Sequence, residues 1–196
     1  MTHSLHRHGT PASLKGDFVV LRIGNAPRSG PTLRERLQRR FPRLYEYLRT
    51  VYRGLGFGGG AKGLGWTSVF NSRDTLRAHL ETLKEADTGC SVVVSGLIDD
   101  VQACLVDLDL RAHTIQYSLG HFGRTERLPS EEVLEITTMC GHHLVSSRLV
   151  EKKMKAVAGG RISSDEAAAS LGELCLCNIF NCCRAAELME KHAHRS

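Results

Sequence analysis

Two short motifs carry the most specific chemistry in this chain: Cys140-Gly-His142 and Cys175-Leu-Cys177. Three thiols and one imidazole form a tetrahedral zinc set. The same donors suit an iron–sulfur cluster, since mixed Cys and His ligation occurs in two-iron centres. Alternate residues of an extended turn face one point, and Gly141 lets the backbone fold tightly between the first two ligands. Between His142 and Cys175 lie 32 residues, enough for one helix out and one helix back. The spacing therefore predicts that Cys140, His142, Cys175 and Cys177 meet around a metal.

Cys182 and Cys183 complicate the set. If Asn181 caps a final helix, Cys182 shares a face with Ala185, Ala186 and Met189 and reads as a small buried residue. Cys183 sits one position round in the same first turn, where backbone N–H groups favour a thiolate. Either is the alternative fourth ligand in place of His142. Cys90 and Cys104 fall on apolar faces of a strand and a helix and read as packing. The segment Met1 to Lys15 lacks the apolar run of a secretory signal. Seven cysteines in such a chain predict a cytoplasmic protein whose clustered thiols serve metal or redox chemistry.

A second constellation lies at predicted strand ends, where α/β sheets bind ligands. "SGLIDD" and "SLGHFGR" supply Ser95, Asp99, Ser118, His121 and Arg124 as candidate catalytic residues. The helix opening at Leu97 offers its N-terminus to an anion. No Gly-x-Ser-x-Gly elbow accompanies them, which weighs against a serine hydrolase.

The third is basic. From Arg28 to Arg53 the chain holds eight Arg and two Glu. Arg36, Arg39, Arg40 and Arg43, with Lys62 from the following Gly-rich loop, are the candidate anion-binding residues. Nucleic acid is one such anion, although no recognised nucleic-acid motif is present; a small molecule or a protein is the other kind of partner. The loop from Gly54 to Gly65 contains a nominal G-x-G-x-x-G. It follows a helical pattern instead of a strand, so it reads as a lid more than as a dinucleotide site.

The elements that must position these residues follow from periodicity. "DFVVLRIG", "WTSVF", "CSVVVSG" and "AHTIQYSLG" read as strands. Between the last two, "LIDDVQACLVDLD" presents Leu97, Val101, Cys104 and Leu108 on one helical face. "NSRDTLRAHLETLKEADTG" is a helix capped at Asn71 or Ser72. Strand, helix and strand in succession predict a βαβ-type layer of about four strands over residues 17–124. A ferredoxin-like α+β sheet is the alternative, because short strands do not disclose their direction. Residues 125–196 read as an all-helical segment carrying the Cys/His centre, and residues 1–16, with three His among Gly, Pro and Ser, as a disordered tail. No stretch approaches the roughly 20 apolar residues of a membrane span. The sequence thus predicts a metal- or iron–sulfur-binding protein, with a redox or metal-dependent enzyme as one form of it. The alternative is a non-enzymatic binding protein with a structural zinc and an Arg-rich face.

Overall fold

The computed structural model describes residues 5–23 and 67–194. The Arg-rich segment and the Gly-rich loop, with Arg36, Arg39, Arg40, Arg43 and Lys62, lie outside the described residues. The elements in chain order are α1 (Pro11–Leu14), β1 (Phe18–Ile23), β2 (Thr67–Phe70), α2 (Arg73–Ala86), β3 (Ser91–Ser95), α3 (Ile98–Asp107), a 3-10 turn (Thr125–Arg127), α4 (Glu131–Thr137), α5 (Ser147–Ala158), α6 (Ser164–Gly172) and α7 (Cys182–Ala193). The protein is mixed α/β. Among the described residues no helix is long and apolar enough to cross a membrane.

β1 is the central strand, in the order β2-β1-β3. Its run of apolar residues is continuous because both faces are covered. Val19 and Leu21 join the core formed by the C-terminal helices. Phe18 and Val20 point the other way and pack with Leu76 and Leu80 of α2, Cys104 of α3 and Leu108. This is the period-two alternation of a strand, with helices on each side.

The sheet corrects the parallel layer expected from sequence. Both pairings are antiparallel, Val19 lying opposite Val69 on β2 and opposite Ser95 on β3. Consequently β2 and β3 run parallel to each other with β1 between them, joined by α2. Residues 112–120 form no strand and are exposed throughout. Their alternation of Ile115, Tyr117 and Leu119 is strand-like, but a strand exists only where a partner edge accepts it in register, and that is settled by tertiary context.

The helices keep closer to their sequence signals. Ser72, Ser163 and Asn181 cap α2, α6 and α7, accepting hydrogen bonds from Thr75 N, Glu166 N and Arg184 N at 3.2, 3.1 and 3.0 Å. Cys182 is exposed at the start of α7, while Ala185, Ala186 and Met189 on its face are buried. Position in the first turn takes it clear of the core those residues enter.

The N-terminal residues from Leu5 onward are not a tail. Arg7 is only 9% exposed and Asp17 1%. Asp17 Oδ2 lies 2.9 Å from Arg184 Nη1 and 3.5 Å from Arg7 Nε. Asn181 Nδ2 donates to Asp17 Oδ1 at 3.1 Å and to Gly16 O at 3.0 Å. These long-range bonds fix a segment whose composition alone would leave it unfolded.

Candidate metal centre

Leu5 to His8 is an extended stretch laid across the helical half. Alternation sends Arg7 into the core and His6 and His8 outward on the same side. The Arg7 guanidinium donates to Ile179 O at 2.5 Å and to Thr138 O at 3.3 Å. Burial lowers its pKa, and the Asp17 carboxylate opposes that shift. The His8 backbone is held from both sides: its N–H donates to Thr138 Oγ1 at 3.0 Å, and its carbonyl accepts from Arg184 Nη2 at 2.8 Å. Ser95 Oγ donates to Leu5 O at 3.0 Å, tying the stretch to the end of β3.

His121 comes from the loop between α3 and α4. It is flanked by Gly120 and Gly123 at φ +88° and +94°, a left-handed conformation that side-chain-bearing residues resist. Its ring meets His6 edge-on with centroids 4.9 Å apart and stacks on His8 at 5.6 Å. One ligand atom from each of His6, His8 and His121 lies within 4.8 Å of the others. Among the described residues this is the one group of three or more His, Cys, Asp or Glu so placed. The three imidazoles border an open cleft of about 620 Å³ that also exposes Glu126 and Glu131.

Hydrogen bonds orient two of the rings. His6 Nδ1 is bonded to Ser118 Oγ. His6 Nε2 is buried without a hydrogen-bond partner in the structure. His8 Nε2 is paired with Glu131 Oε2, leaving Nδ1 as its ligating atom. A carboxylate on the far nitrogen of a ligating imidazole fixes the tautomer and raises its basicity. Burial, then the neighbouring His121 and His8, lowers the pKa of His6, which keeps it neutral and ligand-ready at pH 7. Tetrahedral zinc, with Zn–N bonds of about 2.0–2.1 Å, places its nitrogens about 3.3 Å apart. Closing this site on an ion therefore needs inward movement of at most about 1.5 Å from the 4.8 Å limit.

The residues singled out from sequence divide. Ser118 and His121 belong to this centre, and Ser95 anchors the stretch that supplies it. Ser95 does not cap α3, whose N-cap is Leu97. Asp99 and Arg124 are exposed and line no part of the cleft. Cys140, Cys175 and Cys177 do come together, in the core between the C-terminal helices. Cys175 Sγ and Cys177 Sγ are 3.6 Å apart. Burial, then Cys140 and Cys177, pushes the Cys175 thiol up to about 12. His142 lies half-buried in the turn between α4 and α5, and Cys182 and Cys183 are exposed on α7. Cys140, His142, Cys175 and Cys177 do not lie mutually within 4.8 Å.

His6 and His8 were legible only as His-x-His, the same alternation that marks the two cysteine motifs. Gly, Pro and Ser around them outweighed that signal. Comparison of the chain with protein-family models, with curated proteins and with solved structures gives no match.

Proposed function

We propose that the protein binds a divalent transition metal of the zinc class through His6, His8 and His121, with Glu131 orienting His8. The reading rests on the convergence of three imidazoles from two distant segments at the edge of an open cleft. Three nitrogen ligands leave a tetrahedral ion one position for water or substrate, the arrangement of catalytic rather than structural zinc. A zinc-class ion held there would supply a bound water of lowered pKa. Glu126 borders the same cleft and supplies a carboxylate of the kind that accepts such a proton. The chemistry fits metal-assisted hydrolysis or hydration of a small molecule.

Cobalt(II) titration of chelator-treated protein tests this against the thiol-centred alternative. A histidine centre gives cobalt bands without thiolate-to-metal charge transfer. His6→Ala, His8→Ala and His121→Ala should each weaken binding at least about tenfold, and Glu131→Gln about 10–100-fold. Cys140→Ala and Cys177→Ala should leave affinity unchanged. Intense charge transfer lost on Cys177→Ala would place the metal on the thiols and overturn the histidine assignment.

A further inference from the structure

We propose that Cys175 and Cys177 form a thiol–disulfide exchange site that reacts with small aliphatic disulfides. Two observations converge there. Asn178 N donates to Cys175 O at 3.1 Å, closing a β-turn with Leu176 and Cys177 at its centre. Cα atoms two apart in such a turn lie about 5.5 Å from each other, inside the range a disulfide spans. The sulfurs are already 3.6 Å apart, so the bond, about 2.05 Å long, forms by side-chain rotation with little backbone change.

The two cysteines differ in access, which sets the order of events. Cys175 is 2% exposed, whereas Cys177 is half-buried and reachable. The Cys177 thiolate attacks one sulfur of the small disulfide, and the other sulfur leaves as a thiolate. The Cys175 thiol then attacks the Cys177 sulfur, its proton passing to the first released small thiolate, and the second small thiolate is expelled. Two electrons pass from the cysteine pair to the small disulfide, and one disulfide is exchanged for another. Cys140 borders the pair in the core but belongs to a different turn. The bridged form holds the turn whose next residue, Ile179, accepts the Arg7 hydrogen bond.

The test uses the full chain carrying Cys182→Ser and Cys183→Ser, both exposed positions, with chelator present throughout. The reduced protein is equilibrated with mixtures of reduced and oxidised glutathione, alkylated, and analysed by mass spectrometry. The expected product has lost two hydrogen atoms and both alkylation sites at Cys175 and Cys177, reversibly with excess reduced thiol. Cys175→Ala should trap glutathione on Cys177, and Cys177→Ala should leave Cys175 unmodified. Full alkylation of both thiols at every ratio overturns the proposal. So does a bridge from Cys175 to Cys140, or a glutathione adduct on Cys177 that persists while Cys175 is present.

Discussion

Asp17 sits in the interior between two guanidinium groups, Arg7 and Arg184, and satisfies its other oxygen with Asn181. Removing one partner of a buried ion pair costs more than the pair contributes, because the remaining charge is left uncompensated. Asp17→Ala takes the carboxylate from both guanidinium groups, leaving Arg7 uncompensated and Arg184 with the more distant Glu135 at 3.8 Å. We expect a loss of about 3–5 kcal/mol of unfolding free energy, measured by urea denaturation, with metal affinity falling as Arg7 loosens. Neutral or stabilising behaviour would show that solvent reaches this cluster. His79 gives a second residue-level expectation. Its ring packs on Phe70 with centroids 4.8 Å apart, and burial, then Arg22, lowers its pKa below 6.5. The unfolded chain therefore binds a proton that the folded chain refuses. Stability conferred by neutral His79 is present above about pH 6.5 and is lost as pH falls below it. His79→Gln should flatten that loss between denaturation curves taken at neutral and mildly acidic pH. An unchanged slope would assign the acid sensitivity elsewhere.

At the scale of elements, the junction of β3 and α3 depends on Gly96. A Cβ built there lies 2.4 Å from Phe18 Cδ1, and Phe18 is fully buried in the central strand. The ring has no room to yield, so Gly96→Ala overpacks the core beneath the sheet. The expected cost is about 1–3 kcal/mol, read from thermal unfolding, with no direct effect on the imidazoles. A wild-type midpoint would mean that strand and helix separate freely at this corner. The helices themselves show what capping achieves. Ser72 and Asn181 were readable as caps because a side-chain acceptor placed before an apolar periodic run has one local use, bonding the orphaned N–H groups of the first turn. The strand pattern of residues 112–120 had no such local test. Pairing needs a second segment, and none among the described residues pairs with it.

For the whole molecule, the centre joins parts remote in sequence. His6 and His8 are fixed to the helical half through Arg7, whereas His121 belongs to the exposed connection between α3 and α4. A bound ion would tie that connection to the N-terminal stretch, and binding that requires the assembled site adds to its stability. Arg124 and Arg127 are exposed tryptic sites in that connection. Zinc should slow cleavage there severalfold relative to chelator-treated protein, while residues 131–194, held by a buried apolar core, resist in both states. Equal cleavage rates with and without zinc would show that His121 does not share an ion with the other two.

What the sequence determined by itself was local. The caps at Ser72 and Asn181 and the continuous apolar run of β1 follow from interactions within a few residues. The meeting of Cys175 with Cys177 belongs in part to that class, since two residues of separation and one turn suffice. Tertiary structure alone decided strand direction, the absence of a strand at 112–120, and the grouping of the histidines. His6 and His121 are 115 positions apart, and nothing in their own neighbourhoods specifies the contact. It is made because Arg7, between His6 and His8, finds Asp17, Thr138 and Ile179 in the interior. One buried cation, whose partners come from across the fold, turns an apparently unstructured start of the chain into one wall of a site.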